Sequence, residues 1–363
     1  MNRMPNFVYC PECDHRIPLG SGDAPRRKVR CPVCGARVRS AEDVNADWDN
    51  DDRPRRRRPP QRSQAKVWLI VAGVIAGLVV LGCGGIIFLG IRAIRPTSFP
   101  EQTEDYVQAR SHFQTKLMRQ GAAPQEWVQE VPPPGVDEVQ YTSGTLKLKA
   151  WVTHPEARPA KKPAVVFLHG GFAFGEEDWD MTQPFQDAGF VVMTPMLRGE
   201  NGLPGSYSMF YNEVDDVLAA AEMFAKMPHV DSQHMYIAGH SVGGTVTLLT
   251  ALTSTRFRAA ASFSGSPDQV AWARTEDDDV VPFDKSNKLE FQMRSPLAYP
   301  RSFKCPVRMF YGSQEFLFSR PSQKTAELAR AANLDVQAVQ IPGDHDTAVD
   351  PAIQQAILFF KAK

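Results

Sequence analysis

MYIAGHSVGGTVTLLTALT, residues 235–253, is the stretch that decides how this 363-residue chain is read. A strand-like apolar run (235–241) passes straight into a helical pattern from Gly243 to Thr253. The junction is Gly239-His240-Ser241-Val242-Gly243, a G-x-S-x-G pentapeptide. Glycines at both ends permit a sharp, strained turn that lifts the serine into the open between strand and helix. The pentapeptide alone arises by chance in roughly one chain in ten of this length. Its flanks and its partners elsewhere carry the reading.

Moving outward, apolar runs alternate with helical stretches. VDEVQYTS (136–143) and TLKLKAWV (145–152) flank Gly144 as a hairpin, followed by runs at 163–170, 190–195, 259–265, 306–312 and 336–341. Helical patterns cover 212–227, 243–253, 322–332 and 351–363. Strands alternating with helices predict an α/β fold with a doubly wound, mostly parallel sheet over 136–363. Residues 266–300 fit no such unit and are assigned as a lid.

A serine hydroxyl needs a base, and the base needs a carboxylate to hold its tautomer. Of eight histidines, His15 and His112 lie outside the domain, and His154, His229 and His234 read as solvated surface. His240 adjoins Ser241, but strand alternation sends the two side chains to opposite faces. His345, just beyond the last apolar run, is left as the base. In the order Ser…acid…His, Glu315 after the 306–312 run is the acid. Asp344 and Asp346 are alternatives that cannot easily curl back onto the His345 ring, and Asp277–Asp279 read as a solvated loop. His169-Gly170-Gly171-Phe172 ends an earlier run, where small residues let amides approach an oxyanion. Gly171 or Phe172 supplies one donor and Val242 the other.

The charges, 41 basic against 41 acidic, cancel only in sum. Residues 1–66 carry +6 and residues 96–363 carry −8, while 67–91 carry no charge. That middle run, VWLIVAGVIAGLVVLGCGGIIFLGI, would form a helix of roughly 37 Å, enough to span a bilayer core of about 30 Å. It is too long and too far from the start for a signal peptide. Its continuation past Cys83 argues against lipidation there, and Gly73-x-x-x-Gly77 is a weak helix-pairing cue. Seven basic residues between Arg53 and Lys66 precede it, so 1–66 is expected in the cytoplasm and 96–363 outside. The Arg55–Arg58 run beside a membrane helix is assigned to topology and anionic lipid rather than nucleic acid.

Four of six cysteines form Cys10-Pro-Glu-Cys13 and Cys31-Pro-Val-Cys34, 17 residues apart. Two such knuckles close four thiolates tetrahedrally around Zn²⁺, and a reducing cytoplasm disfavours disulfides. So 1–40 is expected to be a four-cysteine zinc ribbon with structural zinc, available to a cytoplasmic protein partner. Residues 41–66 are expected to be a disordered linker, and 96–135 a juxtamembrane stalk helix (101–120) plus a proline-rich linker.

LHGGF (168–172), TPMLRGENG (194–202), DDVLAAAEMFAK (215–226) and VDSQHMYIAGHSVGG (230–244) together resemble the catalytic domain of prolyl-oligopeptidase-type serine peptidases, over roughly 141–360. The resemblance implies Ser241 as nucleophile, His345 as base and Glu315 as acid, where the family usually carries Asp. It also places Arg198 near the site. The family's β-propeller is missing from the chain, and dienelactone-hydrolase-like and acetyl-xylan-esterase-like enzymes share the bare architecture. The expectation is a membrane-anchored serine hydrolase, with a peptidase favoured over an esterase of small acyl substrates. The non-enzymatic alternative is a silent hydrolase fold acting as a sensor. No cofactor is expected in catalysis.

Overall fold

The apolar runs become one eight-stranded sheet. The computed structural model describes residues 7–9, 16–18, 29–34, 37–38, 99–155 and 160–363. The chain divides into two compact units, Met1–Leu89 and Gly90–Lys363. In the first, β1 (Phe7–Tyr9) pairs antiparallel with β2 (Arg16–Pro18), and β3 (Val29–Arg30) with β4 (Arg37–Val38). The 41–66 linker, the 67–91 segment, Cys10 and Cys13 lie outside the described residues. Among the described residues no helix is long and apolar enough to cross a membrane.

The second unit carries β5 (Val136–Ser143), β6 (Leu146–Thr153), β7 (Lys162–Leu168), β8 (Val191–Pro195), β9 (Val230–His240), β10 (Ala260–Phe263), β11 (Val307–Gly312) and β12 (Val336–Ile341). Their order is β12-β11-β10-β9-β7-β8-β6-β5, parallel from β8 to β12 and antiparallel at β5–β6 and β6–β8. The hairpin turns at Gly144, whose φ of 56° suits glycine. β8 and β10 are buried at every position, which is why they read as unbroken apolar runs. Alternation divides β7 between two cores. Val166 and Leu168 pack with Leu248 and Phe224 on one face, Val165 and Phe167 with Phe185 and Phe360 on the other.

Among the described residues the helices are α1 (Tyr106–His112), α2 (Glu176–Asp180), α3 (Gln183–Asp187), α4 (Glu213–Phe224), α5 (Val242–Thr253), α6 (Gln269–Trp272), α7 (Lys288–Gln292), α8 (Phe316–Ala331) and α9 (Val349–Lys361). α9 docks through Ile353, Ile357 and Phe360, each worth about 1.5–3 kcal/mol of apolar burial.

Two expectations need correction. The 101–120 helix is only α1, and it is no free stalk. Tyr106 is 0% exposed, its hydroxyl donates to Met293 O at 2.6 Å, and its N–H donates to Ser302 Oγ at 2.9 Å. Burial of one side at Tyr106 and Ala109 ties the segment to the core, and extended backbone at Phe113 ends the helix. α8 begins at Phe316 rather than Ser322, running through Pro321, which lacks an N–H but removes only one helical bond. Residues 266–300, assigned as a lid, pack into the domain. Arg294 is fully buried there, bonded to Glu290 Oε2 at 2.6 Å and to Ser208 O at 2.8 Å.

Candidate active site

Ser241 stands between β9 and α5 at φ 54°, ψ −114°, a conformation that costs a non-glycine residue about 1–3 kcal/mol. The surroundings enforce it. The Ser241 N–H donates to Phe263 O at 2.8 Å, and Thr245 N–H returns to Ser241 O at 3.1 Å. A Cβ at Gly243 would lie 2.2 Å from Leu168 O, and one at Gly239 would lie 2.5 Å from Gly243 O. Both outer glycines are therefore demanded by backbone contact between α5, β7 and β9.

At the same rim, beyond β11 and β12, Glu315 and His345 meet. Glu315 Oε1 accepts from His345 Nδ1 at 2.5 Å, while Oε2 accepts from Ser264 Oγ at 2.6 Å and from Gly312 N at 2.5 Å. Burial would raise the Glu315 pKa, but the hydrogen bonds from His345, Ser264 and Gly312 outweigh it and hold the carboxyl below its ordinary value. The bond to Glu315 in turn raises His345 above an ordinary imidazole, against partial burial. With Nδ1–H committed to Glu315, the ring's Nε2 is the basic nitrogen. Phe318 stacks on the His345 ring at 5.5 Å and the His240 ring lies 4.9 Å away. Asp344 instead binds Thr347 and the Asp346 amide.

Strand alternation points His240 away from Ser241, yet it belongs to this cluster. It is buried, its Nε2 faces His345 O at 3.3 Å, and burial followed by the His345 charge lowers its pKa. It therefore packs as neutral imidazole and joins the serine turn to the His345 loop. A Cβ on Gly170 would sit 3.1 Å from His240 Nδ1 and 3.8 Å from Ser241 Cβ, so the end of β7 closes on the same turn.

His169 points inward, to Glu200 Oε2 at 3.0 Å. Burial opposes its charge, but Glu200 raises it to about 9, so it is a buried cation bracing the turn. Gly171 has φ 63°. Of the two amides expected to face an oxyanion, the Phe172 N–H is already engaged, donating to Gln125 Oε1 at 2.7 Å. Val242 N–H opens α5, where no preceding turn supplies an acceptor. The Phe172 ring meets Tyr207 (5.3 Å), Phe210 (6.4 Å) and Trp272 (6.3 Å), an aromatic wall beside the turn. Met209 and Phe210 take positive φ to build it.

Arg198 has a structural partner. It forks onto Asp216 at 2.8 and 2.6 Å, and Asp216 is 0% exposed. Two of the three histidines expected on the surface pair there with Asp137 and Asp231, but His229 is buried. Sequence reasoning missed Gln125, Ser264 and Phe318 altogether, and no local pattern marks any of them.

For a metal, Cys31 and Cys34 occupy the turn between β3 and β4, and Cys10 and Cys13 fall between β1 and β2. Two pairs of cysteine thiolates are the donor set that tetrahedral zinc takes. Among the described residues no group of three or more His, Cys, Asp or Glu could hold a metal, and Cys10 and Cys13 lie outside them.

Residues 178–314 match the model of the prolyl oligopeptidase family. The chain is 25% identical over 188 residues to the uncharacterized peptidase YtmA of Bacillus subtilis, covering 48% of this chain and 71% of that one. It is 29% identical over 211 residues to the human acylamino-acid-releasing enzyme, covering 51% of this chain but 28% of that protein. Among solved structures, a puromycin-hydrolyzing peptidase of Mycobacterium tuberculosis superposes with a TM-score of 0.55 at 20% identity, over 65% of this chain and 42% of that one. The acylaminoacyl peptidase of Pyrococcus horikoshii gives 0.52 at 22%, over 62% and 41%. The chain thus spans less than half the length of the human enzyme and of both solved peptidases.

Proposed function

We propose that this chain, whose folded domain is a serine-type peptidase domain of the prolyl oligopeptidase family with an α/β-hydrolase fold, cleaves peptide bonds through an acyl-enzyme on Ser241. The observation that carries this is the Glu315–His345 pair, closed at 2.5 Å on the rim that also bears the strained Ser241 turn. His345 Nε2 takes the Ser241 hydroxyl proton as Oγ attacks the carbonyl, and returns it to the leaving amine. Glu315 holds the tautomer and stabilises the imidazolium. The Gly171 and Val242 amides receive the oxyanion. Water, activated by the same imidazole, then releases the acyl group. The wall of Phe172, Tyr207, Phe210 and Trp272 suits an apolar acyl side chain.

The chain's wider organisation is proposed on the sequence. Residues 67–91 anchor it in a bilayer, with a zinc-bearing N-terminal ribbon in the cytoplasm that engages a protein partner, and the hydrolase domain on the other side. Zinc, when bound to Cys10, Cys13, Cys31 and Cys34, supplies folding energy to the ribbon and takes no part in catalysis.

A fluorophosphonate probe should label the full chain, and Ser241→Ala should abolish labelling. Parallel panels of aminoacyl-p-nitroanilides and p-nitrophenyl esters separate peptidase from carboxylesterase. Turnover of esters alone would replace the peptidase reading with the esterase one, and turnover of neither would favour the silent sensor.

A further inference from the structure

Gln125 lies in the stretch after residue 120 that the sequence assigns to a proline-rich linker, yet its side chain reaches the oxyanion turn 47 residues away. Its carboxamide oxygen takes the Phe172 N–H at 2.7 Å and lies where a Cβ on Gly171 would fall, 2.6 Å away. Gly171, at φ 63°, therefore turns around this oxygen. We propose that Gln125 is the positioning residue of the oxyanion hole. By satisfying Phe172 N–H it fixes the peptide planes of the turn, so that the preceding Gly171 N–H is the amide left to face the developing charge.

The chain behind Gln125 is tied to the domain by backbone hydrogen bonds. The strap's Ala123 N–H donates to Gly199 O at 3.0 Å, and Tyr207 N–H donates to Gly121 O at 3.0 Å. Gln125 N–H closes onto Ala123 O at 2.9 Å. Beyond it, the Trp127 ring abuts Gly202, where a Cβ would lie 2.7 Å away, and the Glu130 carboxylate accepts from the Glu176 N–H. The 198–207 loop receiving the strap is itself pinned through Arg198 to buried Asp216. Gln125 itself is exposed at the rim, but the backbone that carries it is anchored beside it by buried Ala123, and that anchoring positions its oxygen.

The inference rests on the serine-hydrolase reading above, and one control separates the two. Turnover that survives Ser241→Ala would sink that reading whatever Gln125 does. With that control silent, the test is steady-state kinetics of the full chain on its best p-nitroanilide, normalised to the end-point stoichiometry of fluorophosphonate labelling so that only folded sites count. Gln125→Met fills the space but accepts no hydrogen bond, and should lower kcat roughly 10- to 100-fold with KM within about twofold, because a misplacement near 1 Å costs on that order. Unchanged kcat in Gln125→Met, or a loss that falls on KM rather than kcat, would reduce the contact to packing and overturn the proposal. A faster Gln125→Met enzyme would overturn it differently, by making Phe172 N–H the oxyanion donor and Gln125 its internal competitor.

Discussion

Replacing Glu315 by Gln tests the reading of the site where the geometry is tightest. The native carboxylate receives three donors, from His345 Nδ1, Ser264 Oγ and Gly312 N, all within 2.6 Å. A carboxamide has one oxygen. Turned toward His345, it sets its NH₂ against the Gly312 N–H and Ser264 hydroxyl. Flipped, it sets NH₂ against Nδ1 and drives the ring proton to Nε2, the nitrogen that must accept from Ser241. Either way the imidazolium formed during attack loses its counter-charge. At an effective dielectric near 20 and a charge separation near 4 Å, that interaction is worth about 4 kcal/mol. At 1.36 kcal/mol per decade this is a loss of about a thousandfold in kcat/KM.

The pH profile gives the second readout. Glu315 raises the His345 pKa, and the base works only when neutral, so the acid limb of kcat/KM lies above an ordinary imidazole value in the parent. It should move to lower pH in Glu315→Gln. The assay is kcat/KM for a p-nitroanilide between roughly pH 5 and 9, spanning the range over which histidine titrates. A Glu315→Gln enzyme within about tenfold of the parent, with an unmoved acid limb, would refute Glu315 as the group that orients His345.

Gly243→Ala should cost roughly 3 kcal/mol or more, since its Cβ would enter the backbone of β7 at Leu168 O, and denaturant unfolding of the full chain should show it. Arg198→Ala strands the buried Asp216 carboxylate and should destabilise the domain by about 3–5 kcal/mol, with KM per labelled site little changed. The Glu315–His345 pair should stabilise the fold most between the ordinary carboxyl and imidazole values, about pH 4.3 to 6.5. The lowered Glu315 loses its share as pH falls and the raised His345 loses its share as pH rises, so the melting temperature should decline on both sides. The purified full chain should carry about one zinc, by elemental analysis, bound through four cysteines; chelation should remove it without slowing Ser241 labelling.

Much of the site could be read without coordinates because its chemistry sits at strand ends, and strand ends are marked locally. The serine turn announces itself by two glycines between an apolar run and a helix. Glu315 and His345 each follow a run short enough to be a buried strand. What escaped were contacts between distant segments. His240 touches a loop 105 residues away, and alternation along β9 says nothing about that loop's position. The 99–135 segment read as stalk and linker because prolines and polar residues hide its few anchors, such as Tyr106, Ala123 and Gln125.

The order of chemistry along the chain, nucleophile then acid then base, is written in one dimension, because each group rides on its own strand of a sheet whose periodicity is local. So are the uncharged run at 67–91 and the paired cysteines, whose meaning depends on composition and spacing. Which amide faces the oxyanion is of another kind. It turns on one carboxamide oxygen from the strap reaching Phe172 before any substrate does, and such a contact exists only once the packed core has brought the two segments together.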